Sequence, residues 1–119
     1  MNFREEKSIY LQIEEYICEQ VLSEKWMTGG KILSVREFAA SLEVNPNTVM
    51  RAYTELADKG ILENKRGVGF FVAENAPTII RETLRREFLS CELPSVLKKA
   101  HLLNISLDEI SGIFQTLEK

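Results

Sequence analysis

Residues 34–72 read SVREFAASL-EVN-PNTVMRAYTEL-ADKG-ILENKRGVGFFV, and this stretch decides the fold. Val35, Phe38, Ala39 and Leu42 recur at i, i+3, i+4, i+7, the period of a helix with one apolar face. Ser34 and Glu37 have S-x-x-E spacing, which predicts a reciprocal cap: the serine oxygen accepts the amide three residues on, and the glutamate reaches back. Val49, Ala52, Tyr53 and Leu56 repeat the same offsets in a second helix. Asn45 is a good N-cap for it, and Pro46 falls at the first helical position, where a missing N–H loses nothing. Gly60 suits a left-handed residue just past its end. Glu43-Val44-Asn45 is then the turn between two helices.

The chain next resumes an apolar run at Ile61 and Leu62, turns at Lys65-Arg66-Gly67-Val68-Gly69, and returns at Phe70-Phe71-Val72. Two strands around a basic, glycine-containing turn make a hairpin, or wing. At 100° per residue, Asn47, Arg51, Thr54 and Asp58 lie opposite the apolar stripe of the second helix, with Thr48 on its flank. Amide, hydroxyl and guanidinium groups on the exposed N-terminal half of a second helix are what a recognition helix offers to base edges. The expected fold is α+β: an N-terminal winged helix-turn-helix domain followed by a small all-α segment.

Outward from this stretch the pattern is scaffold. Tyr10, Ile13, Ile17 and Val21 predict a first helix from about Ser8 to Glu24, with Trp26 packing near its end. Thr28-Gly29-Gly30 turns the chain into a short strand at Lys31 to Leu33. Ala73-Glu74-Asn75-Ala76-Pro77 reads as a hinge, so the winged domain is placed at 1–76 and a helical dimerisation domain at 77–119. In the latter, Ile79, Ile80, Leu84, Phe88 and Leu89 share a stripe, and Val96, Leu97, Ala100 and Leu103 continue it. Pro94 either opens a new helix or kinks a continuing one. Asn104 or Ser106 caps a last helix bearing Leu107, Ile110, Ile113, Phe114 and Leu117, with Glu109 in capping-box register. Those side chains exceed what so short a segment can bury in itself, which predicts a homodimer through the C-terminal helices.

Four motifs in order, Ile9-Tyr10-Leu11-Gln12-Ile13, Ser34-Val35-Arg36-Glu37-Phe38-Ala39, Val44-Asn45-Pro46-Asn47-Thr48-Val49 with Arg51-Ala52-Tyr53, and Arg66-Gly67-x-Gly69-x-Phe71-Val72, resemble the GntR family of bacterial transcription regulators. The resemblance covers roughly residues 8 to 73, and the short tail is similar to that of the YtrA-type subfamily. It implies a winged domain that binds double-stranded operator DNA as a dimer, with Arg36, Asn47, Thr48, Arg51, Gly67 and Gly69 touching the duplex. Lys65 and Arg66 join them on their charge, and Lys31 is expected at a phosphate. The chain departs from the family pattern at Thr28 and Leu33, where proline is usual, and at Val68 and Phe70 of the wing, which are commonly more polar.

Composition sets limits on this reading. A chain of 119 residues, 45% hydrophobic, buries one modest core, and no apolar run of about 18 residues marks a membrane span. Cys18 and Cys91 lack metal-ligand spacing and fit reduced thiols in a cytoplasmic protein. The formal net charge is −3, but residues 30–72 carry six basic against five acidic residues. The acid excess lies in Glu5, Glu6, Glu14, Glu15, Glu19 and Glu24, which are expected to face away from a duplex. An enzyme is disfavoured: there is one histidine, His101, on a lysine-rich helix, and Gly67-x-Gly69 lies between strands rather than before a nucleotide-binding helix. No cofactor or metal is called for, and the sequence leaves room for a small-molecule effector without supporting one. The rival reading is a winged-helix module for protein–protein contact; retention of Arg36, Arg51, Lys65 and Arg66 favours DNA. The expected action is that of a repressor on a palindromic operator.

Overall fold

A computed structural model describes residues 3–118; positions 1, 2 and 119 of the two domain spans lie outside them. Its elements in order are α1 (Ile9–Leu22), α2 (Val35–Leu42), α3 (Pro46–Asp58), β1 (Leu62–Lys65), β2 (Gly69–Val72), α4 (Ala76–Glu87), a π-helical segment (Phe88–Glu92), α5 (Leu93–Leu102) and α6 (Leu107–Thr116). Among the described residues no helix is long and apolar enough to cross a membrane. The chain divides into two units, one ending at Glu82 and the other beginning at Thr83.

In the first unit the apolar faces read from the sequence meet. Ile13, Ile17 and Val21 of α1, Phe38 and Ala39 of α2, and Val49, Ala52, Tyr53 and Leu56 of α3 form one buried core. A run of aromatic contacts crosses it, from Trp26 and Tyr16 through Phe38 and Tyr53 to Phe70 of β2, with centroids 5.0–6.3 Å apart. Tyr53 is fully buried and satisfies its hydroxyl by donating to the Leu33 carbonyl at 2.8 Å. Burial raises its pKa well above the ordinary tyrosine range.

The helix ends follow the capping rules. Ser34 Oγ accepts the Glu37 amide and Glu37 accepts the Ser34 amide, both at 3.1 Å. Asn45 Oδ1 accepts the Asn47 amide at 2.8 Å. Helices α1, α2, α3 and α5 all end in the same way: a left-handed residue (Glu24, Glu43, Gly60, Asn104) returns its N–H three residues back, and the next residue returns its own five back. Three of these four positions hold a side chain where glycine would be unstrained, and Glu43 of the turn between α2 and α3 is one of them.

Strands β1 and β2 pair antiparallel from Leu62↔Val72 to Lys65↔Gly69. The strand expected at Lys31–Leu33 is reduced to a single bridge, Lys31↔Phe71, with Ile32 N–H to Phe70 C=O at 2.9 Å beside it. The Leu33 carbonyl turns the other way and accepts from the Tyr53 hydroxyl. The stretch Ala73–Pro77 is also not a free hinge. Helix α4 starts at Ala76, and Ala76 and Ile80 are 0% and 2% exposed within the first core.

In the second unit the backbone stays helical past Pro94. Glu87, Glu92 and Leu93 keep right-handed torsions, and the five-residue π segment lies just before the proline. A widened turn accommodates the ring and the lost N–H without a break. Asn104 ends α5, and Ser106 caps α6 by a second Ser/Glu capping box with Glu109. None of the large apolar side chains described here is buried within this unit: Leu102, Leu107 and Leu117 are 75–77% exposed, and Val96, Leu103, Ile113 and Phe114 are 60–64% exposed. His101 and Cys91 are exposed as well.

Candidate nucleic-acid interface

The residues singled out on the second helix emerge where the helical period puts them. With Val49, Ala52, Tyr53 and Leu56 fully buried, Asn47 and Arg51 are forced outward and Thr48 is left half-buried at the rim. Asn47 has its backbone N–H tied to the N-cap, so its side-chain amide projects with donor and acceptor unused among the described residues. Arg36 is exposed in the first turn of α2 and makes no hydrogen bond or ion pair among the described residues.

Arg51 is different. Its guanidinium carbon lies 3.7 Å from the ring centroid of Tyr10, Nη2 donates to Tyr10 Oη at 3.0 Å, and Nε lies 3.5 Å from Glu55 Oε1. Tyr10 packs against the core as its place in the α1 stripe predicts, and its half-buried ring also props a side chain of α3. Nothing in local periodicity could reveal a contact across 41 residues.

Behind Arg51 the network continues into the interior. Glu14 of α1 is 5% exposed, and its Oε1 accepts from Lys59 Nζ at 3.1 Å. Its Oε2 is buried and no donor among the described residues reaches it. Burial pushes the Glu14 pKa up to about 7, and the nearby Glu55 carboxyl adds to this because a protonated Glu14 can donate to it; the same proton, with Arg51, holds Glu55 below the usual carboxylate range. Glu14 therefore corrects the expectation of a solvated acidic face: Glu5, Glu6, Glu15, Glu19 and Glu24 are exposed, but Glu14 is inside.

In the wing, Val68 N–H closes the turn on the Lys65 carbonyl at 2.8 Å, and Gly67 at φ +79° occupies its third position. A Cβ on Gly67 would meet nothing, so glycine is needed there for its torsion alone. Gly69, at φ +142°, is likewise held by its torsion; a Cβ there would lie 2.9 Å from Lys31 Cε, the far end of a side chain that can shift aside. The Lys31 stem crosses Gly69, and Lys65 Nζ sits 4.3 Å from the Phe71 ring centroid. Lys31 and Lys65 thus flank the strand that carries Phe71, and Arg66 is exposed at the tip. Val68, 57% exposed, makes that tip partly apolar. No group of three or more metal-ligating side chains occurs among the described residues.

Comparisons with known proteins agree with this fold. The bacterial regulatory proteins of the gntR family match residues 9–72, which span α1 through the wing. The chain is 42% identical over 89 residues to the HTH-type transcriptional regulator YhcF of Bacillus subtilis, covering 73% of this chain and 74% of that one. It is 36% identical over 107 residues to the HTH-type transcriptional repressor YtrA of the same organism, covering 90% of this chain and 82% of that one. A solved GntR-family transcriptional regulator from Bacteroides thetaiotaomicron superposes with a TM-score of 0.81 at 39% identity, over 92% of this chain and 96% of the other. The family is one of regulators rather than of enzymes. The chain belongs to the GntR family of bacterial transcription regulators, among members similar to YtrA and YhcF.

Proposed function

We propose that this protein is a cytoplasmic, sequence-specific repressor that binds a palindromic operator as a homodimer. The observation that carries the reading is the outward projection of Asn47 and Arg51 from a helix whose opposite face is wholly buried, beside a cationic wing. Asn47, Thr48 and Arg51 enter the major groove, where Arg51 reads guanine O6 and N7. Lys31, Arg36, Lys65 and Arg66 neutralise phosphates and fix register, and Gly67 and Gly69 let the wing backbone approach the strand. Dimerisation through residues 83–118 is supported by their exposed leucine, isoleucine and phenylalanine side chains, which have no core of their own. A twofold pair sets two recognition helices roughly 34–36 Å apart, about one turn of DNA. Occlusion of a promoter then gives repression.

The test is selection from a randomised duplex library followed by anisotropy titration of the enriched site. Enrichment of an inverted repeat, with Arg51→Ala losing discrimination at one guanine of each half-site, supports the reading. Failure to enrich any site at low ionic strength contradicts it.

A further inference from the structure

We propose that Tyr10 is a positioning residue for base recognition: its ring and hydroxyl hold the Arg51 guanidinium in its reading orientation. The inference rests on the base-reading role given to Arg51 above and deepens it. Tyr10 covers one face of the guanidinium at 3.7 Å and accepts one Nη2 proton at 3.0 Å. Glu55 faces Nε at 3.5 Å. An arginine has five N–H donors in a rigid planar fork. Two are directed at Tyr10 and Glu55, which leaves both Nη1 protons and one on Nη2 for a bidentate contact. The plane of the fork is fixed before DNA arrives, because Tyr10 is carried by α1 and Arg51 by α3, and the two helices share a buried core. Arginine otherwise gives up much rotamer freedom on binding, so holding it in advance strengthens the specific contact without adding any charge to the surface. Tyr10 Oη is an acceptor in this arrangement and keeps its own proton free.

The experiment is a double-mutant cycle on the selected duplex and on the same duplex with the guanine read by Arg51 replaced. Arg51→Ala is expected to reduce the cognate-to-replaced affinity ratio by about 5- to 150-fold. Tyr10→Leu, which removes stack and hydroxyl, is expected to reduce the same ratio by about 3- to 30-fold, and Tyr10→Phe, which keeps the stack, by less. In the Arg51→Ala background Tyr10→Leu has no further effect, and the salt slope is unchanged throughout, since no phosphate contact is lost. Thermal melts of each variant confirm the fold, and Tyr10→Phe serves where Tyr10→Leu fails to fold. Loss of discrimination in Arg51→Ala with none in either Tyr10 variant, or strictly additive losses, overturns the role of Tyr10 and leaves that of Arg51 standing. Unchanged discrimination in Arg51→Ala overturns both.

Discussion

Replacing Glu14 with glutamine should remove a pH dependence of stability that the buried carboxyl builds into the α1–α3 packing. Glu14 is 5% exposed, pairs with Lys59 through one oxygen, and its other oxygen is reached by no donor among the described residues. Its pKa stands at about 7 against an ordinary value of 4.5, chiefly through burial. Because the folded value lies above the unfolded one, the native state holds the extra proton between about pH 4.5 and 7. The stabilisation is complete below that window and is lost as pH rises through it. At about 1.4 kcal/mol per pKa unit the ceiling is on the order of 3 kcal/mol. Glu55 shifts in the opposite sense, and Lys59 partly compensates the charge once Glu14 ionises. A loss of about 1–2 kcal/mol is therefore expected between pH 5 and 8.5. Glu14→Gln keeps the acceptor for Lys59 and supplies a permanent donor toward Glu55, so its stability should stay level as the wild type declines. Urea unfolding at fixed protein concentration, followed through the single tryptophan Trp26, half-buried against Tyr16 and Phe38, reports the difference. Parallel pH curves for the two proteins, or a variant that weakens relative to wild type at high pH, would refute the reasoning.

Three shorter predictions accompany it. Glu43→Gly relieves a left-handed side-chain position at φ +57° and should stabilise by about 0.5–1 kcal/mol, read as a rise in Tm; a fall would mean the glutamate makes a contact worth more than the strain. Lys65→Ala and Arg66→Ala should each weaken cognate and random duplexes alike and lower the salt slope by about one unit. A changed base preference in either variant would instead place the wing among the base readers. Phe114→Asp or Leu107→Asp should convert a dimer into monomer by sedimentation and weaken operator binding by about tenfold or more, with helical content retained. A persisting dimer would place the interface elsewhere.

What the sequence discloses divides by distance along the chain. The stripes Val35–Leu42 and Val49–Leu56, the Ser34/Glu37 and Ser106/Glu109 boxes, and the wing between Lys65 and Gly69 are local patterns, each written within one or two helical turns or a single hairpin. They were readable because propensity, capping and packing agree there. The contacts of Arg51 with Tyr10 and of Glu14 with Lys59 join residues 41 and 45 apart, and no spacing rule reaches that far. Glu14 shows the limit plainly: a glutamate among glutamates reads as solvated, yet it falls on the inner side of α1, one residue from Ile13. The stretch 73–77 misleads for a related reason, since Pro77 looks like a break but sits in the first turn of α4, where a missing N–H is harmless. At Pro94 the residues leave two outcomes open, and the backbone takes the continuing one by widening a turn.

In the proposed complex the exposed N-terminal half of α3 and the wing form the surface that meets DNA. Amide chemical-shift mapping with the selected operator duplex tests it most directly. The largest changes are expected at residues 45–51 and 64–69, with Arg36 and Lys31 beside them and the exposed positions Glu15 and Glu19 of α1 unmoved. Shifts centred on residues 93–117, or none at low ionic strength, would contradict it.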